Sequence, residues 1–159
     1  MIRKCTQDDE MTILGIINES ARADRDVIPD DRYHDPYMSL DELRHEMNEM
    51  TFLGYQEDGK LLAVGGYQPV RDVTLVRHLY VLPEHQRRGI GGQLLALILH
   101  MATTREVLVG TWEPATWAIR FYQKHGFALA PNKDELLRKY WKIPERQIEL
   151  SVVLRSERS

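Results

Sequence analysis

The sequence contains a single cysteine, Cys5, among 159 residues, so an internal disulfide is impossible. Such a chain is typical of a reducing compartment, and we expect a cytoplasmic protein. The sequence also lacks any apolar run near the ~20 residues that a membrane span requires, and no apolar secretion signal follows Met1. These absences predict a soluble protein without a membrane partner.

An excess of positive charge is also missing. Lys and Arg total 21 against 24 Asp and Glu, which gives a net charge of -3. A protein that binds nucleic acid is usually basic over a patch or as a whole, because it must neutralise phosphates. The six histidines show no metal-ligand spacing. We therefore expect neither a nucleic-acid partner nor a metal site.

The length of 159 residues and the hydrophobic content of 43% fit one compact domain over residues 1–159. Neither an internal repeat nor a low-complexity linker interrupts the chain. The order of strand-like and helix-like segments is β-α-α-β-β-β-α-β-α-β-β. This order predicts an α+β fold of three layers, α/β/α, with a mixed central sheet of about seven strands and a crossover helix between parallel strands.

Local signals place several of these elements. Ser39 with Glu42 is a capping-box pattern and predicts a helix up to about Met50. Asp58-Gly59 between the strand-like runs 51–56 and 61–68 predicts a tight hairpin. Further segments are read as a strand at 73–82, a helix at 89–104, a strand at 107–112, a helix at 115–125, a short helix at 133–143 and a strand with alternating Ile148, Leu150, Val152 and Leu154.

The strongest chemical signal is the run Gln86-Arg87-Arg88-Gly89-Ile90-Gly91-Gly92, between the strand 73–82 and the helix 89–104. A helix N-terminus presents unpaired N–H groups, and glycines allow an anion to approach the backbone. The run lacks the Gly-Lys-Ser/Thr of a nucleoside-triphosphate loop and the early G-x-G-x-x-G of a Rossmann unit. Taken alone, the glycines are equally consistent with a sharp turn that binds nothing.

A resemblance separates these alternatives. Leu79-Tyr80-Val81-Leu82-Pro83 followed by Q-x-x-G-x-G resembles the acyl-CoA signature of the GNAT superfamily of acyl-CoA N-acyltransferases. About twenty residues after the helix, the run from Trp117 to Phe127 is similar to the second motif of that family. The resemblance covers the chain from Met1 to about Leu154. It implies an N-acetyltransferase that moves an acetyl group from acetyl-CoA to a primary amine by direct attack in a ternary complex.

The resemblance also implies how the cofactor is held. In the family the central parallel strands splay apart, and free backbone groups of one strand pair with the pantetheine arm. A backbone N–H, here that of Val81, then faces the thioester oxygen. The pyrophosphate is expected on N–H groups of the glycine-rich run. The implied cofactor-binding residues are Leu79, Tyr80, Val81, Gln86, Arg87, Arg88, Gly89, Ile90, Gly91 and Gly92.

The implied catalytic residues match the family pattern only in part. Tyr122 corresponds to the tyrosine that protonates the departing thiolate in many members. The glutamate base that some members carry on the central strand is missing, because the strand 73–82 contains no carboxylate. His78 and Glu113 are therefore candidate bases, with an ordinary packed histidine and a solvated loop acid as the alternatives. Ala115 stands where many members carry an asparagine that helps to hold pantetheine.

The acceptor side is less defined by the sequence. The loop 22–37 carries five aspartates, which suit a cationic amine or simply face water. We expect a small-molecule amine or an amino-acid-like substrate in preference to a protein. The segment 133–143 is expected either to cover the acceptor site or to meet a second subunit in a homodimer. Two alternatives remain open, a non-catalytic acyl-CoA-binding or sensor protein of the same fold and a different nucleotide binder.

Overall fold

Seven strands form one hydrogen-bonded sheet in a computed structural model that describes residues 1–157. The order across the sheet is β1-β2-β3-β4-β5-β7-β6. The pairs β1-β2, β2-β3, β5-β7 and β6-β7 are antiparallel and the pair β4-β5 is parallel, so the sheet is mixed as the sequence predicts. The strands are β1 (Ile2–Lys4), β2 (Thr51–Glu57), β3 (Lys60–Val70), β4 (Val73–Val81), β5 (Glu106–Trp112), β6 (Ala128–Leu129) and β7 (Ser151–Glu157).

Six α-helices connect these strands: α1 (Glu10–Ala23), α2 (Leu40–Glu49), α3 (Ile90–Met101), α4 (Thr116–Lys124), α5 (Lys133–Tyr140) and α6 (Glu145–Glu149). The predicted cap of α2 is confirmed, because Ser39 Oγ accepts a hydrogen bond from the Glu42 N–H at 3.2 Å. The hairpin turn is confirmed as well, since Asp58 and Gly59 both have positive φ, 51° and 78°.

The C-terminal part differs from the expectation. Ile148 belongs to α6, and the last strand begins only at Ser151. Val153, the apolar exception to the predicted alternation, and Leu154 are both fully buried, so the prediction of a half-buried strand is wrong here. The physical reason is that successive side chains of a strand point to opposite faces and both faces are covered here: Val153 packs in a core with Leu137 of α5, and Leu154 on the other face is 0% exposed as well.

The chain divides into two compact units, which are described separately. The first comprises residues 1–68 and 77–101, with a core of α1, α2 and β2 side chains such as Ile13, Ile17, Leu43 and Phe52. The second comprises residues 69–76 and the chain from Ala102 onward. The single domain 1–159 stays a prediction, and its last two residues lie outside the described part.

The core of the second unit contains Leu75 and Leu108 from neighbouring strands, with Leu137 of α5 and Val153 of β7. Each of these four side chains is at most 2% exposed. Within residues 1–157, no helix combines the length and the apolarity needed to cross a membrane.

Candidate active site

Strand β4 changes its backbone conformation at its centre. Its first four residues, Val73–Val76, pair in parallel register with Glu106–Val109 of β5. Two residues later His78 has φ 55°, in the left-handed region. A residue with a Cβ pays an energetic cost there, and a left-handed residue inside a strand is typical of a β-bulge that bends the strand. The residues after this bend, Leu79, Tyr80 and Val81, are those implied to bind pantetheine.

The side chain of His78 is packed on several sides. Its Nε2 lies 2.7 Å from Oε2 of Glu46 on α2, and its side chain is 14% exposed. The ring stacks on Phe52 with centroids 6.1 Å apart and an interplanar angle of 17°. It also meets the ring of Tyr80 at 6.3 Å. The candidate base is therefore fixed in place by neighbours from three elements of the same unit.

Glu46 is a residue that the sequence analysis missed. Its Oε1 accepts a hydrogen bond from Arg77 Nη2 at 2.8 Å, while its Oε2 faces His78. Burial pushes the pKa of the Glu46 carboxyl upward, but His78 and Arg77 outweigh it and lower that pKa below its ordinary value. A signal was present, because Glu46 lies three residues after buried Leu43 and thus on the inward face of an amphipathic helix.

The glycine-rich run forms the turn from β4 into α3. Leu82 N–H donates to Leu62 O at 3.0 Å, which holds the end of β4 beside β3. The Gln86 side-chain amide donates to Val81 O at 3.2 Å. Arg87 and Gly89 both have positive φ, 66° and 79°, and α3 begins at Ile90, which is 2% exposed. Left-handed residues at a helix start turn successive N–H groups toward one side and make an anion-binding concavity.

The turn leaves room for a ligand. A Cβ built on Gly89 would meet no atom within 4 Å, so the backbone faces open space there. Gln86, Arg87, Arg88 and Gly89 are all exposed. These features fit the pyrophosphate of coenzyme A, which requires accessible N–H donors and cationic side chains.

Arg88 of this turn is held in place by neighbouring side chains. Arg88 Nη2 binds both carboxylate oxygens of Glu57, at 2.8 and 3.1 Å, and its Nη1 lies 3.2 Å from His85 Nδ1. The hydrogen bonds from Arg88 lower the pKa of Glu57 below its ordinary range. Arg88 is thus anchored to the β2–β3 hairpin, which fixes one positive charge beside the turn.

Tyr122 is a buried residue of α4. It is 7% exposed, and its ring meets Phe121 and Phe127 edge-on at 5.1 and 5.5 Å. Burial raises the pKa of the phenol above its ordinary value, so the hydroxyl stays protonated at neutral pH. The helix ends just after it, because Gly126 has φ 93° and Phe127 N–H donates to Tyr122 O at 3.0 Å. A protonated, buried phenol can act as a proton donor.

Glu113 has a different setting. It directly follows β5, its backbone N–H donates to Leu150 O at 2.9 Å, and its side chain is exposed. Ala115, in the position of the asparagine of many relatives, is buried at 3% exposure and forms the N-cap of α4. An alanine supplies no side-chain hydrogen bond, so any pantetheine contact at this position must come from the backbone.

The loop 22–37, which the sequence analysis considered for the acceptor, belongs to the first unit. Tyr33 and Tyr37 stack with centroids 6.2 Å apart, and the guanidinium of Arg25 lies 4.9 Å from the centre of the Tyr33 ring. Burial raises the pKa of Asp24, whereas Asp26 and Asp30 are exposed. The loop therefore offers aromatic faces together with exposed carboxylates.

The segment 133–143 contains α5, whose apolar residues Leu136, Leu137 and Tyr140 pack into the core of the second unit. The Tyr140 hydroxyl donates to Asp72 Oδ1 at 2.7 Å. The apolar face of α5 is thus used within its own unit. Among residues 1–157, no group of three or more His, Cys, Asp or Glu side chains is arranged to hold a metal ion.

Comparison with known proteins gives a consistent result. The sequence profile of the Acetyltransferase (GNAT) family matches residues 14–127. A curated relative, the UPF0157 protein YqkA of Bacillus subtilis (strain 168), is 31% identical over 104 residues, which are 62% of this chain and 30% of the relative. The chain therefore matches less than a third of that protein's length.

Solved structures share the fold over almost the whole chain. PaiA N-acetyltransferase from Thermoplasma acidophilum in complex with coenzyme A has a TM-score of 0.72 and 19% identity, with 99% of this chain and 98% of that chain covered. A GNAT family acetyltransferase from Elizabethkingia anophelis with acetyl-CoA bound has a TM-score of 0.66 and 21% identity, with coverage of 99% and 97%.

The name of a third structure specifies a protein as the acceptor. Ribosomal-protein-alanine N-acetyltransferase from Brucella melitensis has a TM-score of 0.71 and 18% identity, with 99% of both chains covered. At these identities the structures support the fold alone, and the profile match over residues 14–127 supports the family. The resemblance found in the sequence is confirmed, and the chain belongs to the Acetyltransferase (GNAT) family.

Proposed function

We propose that this protein is an acetyl-CoA-dependent N-acetyltransferase that acetylates a primary amine by direct attack in a ternary complex. The observation that carries the proposal is the turn after β4, where Arg87 and Gly89 adopt positive φ immediately before the N-terminus of α3. This backbone arrangement suits a pyrophosphate, and it follows a strand bent at His78.

Acetyl-CoA supplies an activated acyl group as a thioester. The backbone groups of Leu79, Tyr80 and Val81 bind the pantetheine arm in this proposal, and the Val81 N–H donates to the thioester oxygen. The N–H groups of the turn and its arginine side chains bind the pyrophosphate. The binding set consists of Leu79, Tyr80, Val81, Gln86, Arg87, Arg88, Gly89, Ile90, Gly91 and Gly92.

Two proton transfers accompany the reaction. Tyr122 donates its phenolic proton to the departing sulfur, which its buried and protonated state supports. The attacking amine must lose a proton, and we assign that role to His78. Glu113 is the second candidate, but its exposed side chain has less support than the packed imidazole of His78.

The acceptor is proposed to be a small cationic amine or an amino-acid-like molecule. Exposed Asp26 and Asp30 together with the stacked Tyr33 and Tyr37 would recognise a positive charge beside an apolar group. A cytoplasmic location is part of the proposal, because the single cysteine suits a reducing compartment. A homodimer remains a further prediction.

One rival function has a specific observation in its favour. β4 carries no carboxylate and Ala115 replaces an asparagine, which would suit a protein that binds acyl-CoA without catalysis. Thiol release from acetyl-CoA over a panel of amines distinguishes the two functions when CoA binding is measured in parallel by calorimetry. Turnover with at least one amine supports the enzyme, whereas tight CoA binding without turnover supports the sensor.

The cofactor assignment has its own test. Replacing Gly91 by valine places a branched side chain in the first turn of α3, where the pyrophosphate is expected. We expect Gly91→Val to weaken CoA binding at least tenfold. Full affinity in this variant would contradict the pyrophosphate site.

A further inference from the structure

We propose that Glu46 is a positioning residue that orients His78 as the base for the acceptor amine and stabilises the imidazolium formed when His78 takes up the proton. The inference rests on the proposed function, because it assigns a role within that reaction. It concerns a carboxylate on α2, 32 positions before His78 in the chain. This residue supplies the negative charge that is missing from β4, which contains no Asp or Glu.

The contact fixes the protonation pattern of the ring. His78 Nε2 and Glu46 Oε2 are both buried and lie 2.7 Å apart, and within the described residues neither atom has a further polar neighbour in hydrogen-bond geometry, so the contact between them is the one that decides where the proton lies. An ionised carboxylate accepts but does not donate, so Nε2 carries the proton. Nδ1 then keeps its lone pair. Because Nε2 is buried, the 14% exposure of the side chain belongs to its other atoms.

The carboxylate is kept in its charged form. Arg77 Nη2 donates to Glu46 Oε1 at 2.8 Å, and Arg77 Nη1 donates to Gln68 Oε1 at 3.1 Å. Burial alone would raise the pKa of Glu46, yet the interactions with His78 and with the guanidinium of Arg77 lower it. Both oxygens of Glu46 therefore have a defined partner, and the negative charge lies directly against the imidazole.

The surroundings hold the ring in one orientation. The charged groups that face it are Glu46 from α2 and Arg77 from β4, while Phe52 contributes an apolar ring from β2 and Tyr80 a tilted ring from β4. A base whose orientation is fixed by packing and by a carboxylate at its other ring nitrogen needs little reorganisation when it takes up a proton.

The proton balance is complete with groups already named. The acceptor attacks as the neutral amine: its nitrogen forms a bond to the acyl carbon as the carbon–sulfur bond breaks, and one of its two protons passes to His78 Nδ1. The resulting imidazolium is stabilised by Glu46. The departing sulfur receives the proton of Tyr122, and solvent later exchanges both residues back to their starting states.

A purely structural role for Glu46 is the competing explanation. His78 has φ 55°, and in this explanation Glu46 serves only to hold the bend of β4. The two roles predict different losses. Failure of the bend would disturb the backbone groups that bind CoA, whereas failure of the base would change the pH dependence of turnover and leave CoA affinity intact.

The experiment compares Glu46→Gln, Glu46→Asp and His78→Asn with a matched control, Glu49→Gln, on the exposed side of the same helix. Asparagine tolerates left-handed φ, so His78→Asn keeps the bend and removes the base. We expect Glu46→Gln to lower kcat/KM about 10- to 100-fold and to move the acid limb of its pH profile to lower pH. Glu46→Asp should recover part of the loss, and His78→Asn should lose about 100-fold or more.

CoA affinity by calorimetry should stay within about twofold of wild type in all four proteins, and Glu49→Gln should behave as wild type. An unchanged pH profile in Glu46→Gln, or a joint fall of CoA affinity and turnover, would overturn the proposal. A separate readout does not require turnover. The ¹⁵N spectrum of the His78 imidazole at pH 8 should show the Nε2–H form, and the Nδ1–H form would overturn the inference even if no acceptor is found.

Discussion

Asn18 on α1 binds both backbone polar groups of Met38. Its Nδ2 donates to Met38 O at 3.0 Å, and Met38 N–H donates to its Oδ1 at 2.8 Å. The side-chain amide thus acts as a peptide group that pairs with Met38, directly after the loop 22–37. Asn18 is only 7% exposed, so this contact fixes where the loop rejoins α2.

Replacing Asn18 by leucine should destabilise the protein by roughly 2–4 kcal/mol. The change leaves a buried N–H and a buried C=O of Met38 without partners, and each such group costs about 1–3 kcal/mol. Urea unfolding followed by circular dichroism measures the loss. Glu19→Leu, at an exposed position of the same helix, is the control. Equal stability of the two variants would contradict the role given to Asn18.

The pH dependence of stability should include a contribution from Asp9. Hydrogen bonds from Arg3, at 2.8 Å to each carboxylate oxygen, lower its pKa to about 2, with burial opposing and the Thr6 N–H adding to the effect. The folded pKa lies below the unfolded value of ~3.9, so the stabilisation is present above pH ~4 and is lost as the pH falls toward 2.

Asp9→Asn should therefore lower the free energy of unfolding by about 1 kcal/mol at pH 7, after allowance for solvent screening. The loss should be smaller at pH 2.5. Thermal unfolding at several pH values measures this difference. A cost that does not change with pH would show that charge is not the cause.

Cys5 should resist alkylation in the folded protein. Its side chain is 7% exposed, and burial raises the pKa of the thiol to about 11, so little thiolate forms at pH 8. Iodoacetamide labelling followed by mass spectrometry should show modification only when urea unfolds the chain. Rapid labelling under native conditions would indicate that β1 opens locally.

The role of Gly89 in CoA binding can be tested by comparison with Gly59, a matched control position. Gly89 and Gly59 have nearly the same φ, 79° and 78°, and a Cβ on either would meet no atom within 4 Å. Replacing either glycine by alanine should therefore lower the free energy of unfolding by a similar ~1 kcal/mol, because of conformational strain. We expect Gly89→Ala to weaken CoA binding as well, whereas Gly59→Ala should leave it unchanged. Equal CoA affinity in both variants would argue against the turn as the binding site.

Tyr122→Phe should lower turnover about 100-fold or more while CoA affinity changes little. The variant removes the proton donor but keeps the ring that packs on Phe121 and Phe127. Because burial raises the pKa of Tyr122, the wild-type enzyme should not lose activity through this residue as the pH rises through 9. Steady-state kinetics measures turnover, and calorimetry measures CoA affinity. Unchanged turnover would refute the role of Tyr122 as proton donor.

The sequence predicted features that depend on neighbours along the chain. The cap at Ser39, the Asp58-Gly59 turn and the start of α3 near Ile90 each follow from residues a few positions apart, and the structure confirms all three. The two motifs also identified the family, since their order and spacing survive in the linear sequence. The last strand was misplaced because its apolar residues fit a half-buried strand, while the helix at Ile148 and the burial of both faces of β7 depend on the packing of the folded chain.

Tertiary structure alone decided the surroundings of the candidate base. His78 was identified from the sequence, but its positive φ depends on the bend of β4, and its partner Glu46 lies on a helix whose packing brings the two together. The pairing of Arg88 with Glu57 arises in the same way, across 31 positions of the chain. Residue spacing governs contacts within one helix or turn, whereas contacts between elements depend on which faces pack and in which register, and the folded chain sets both.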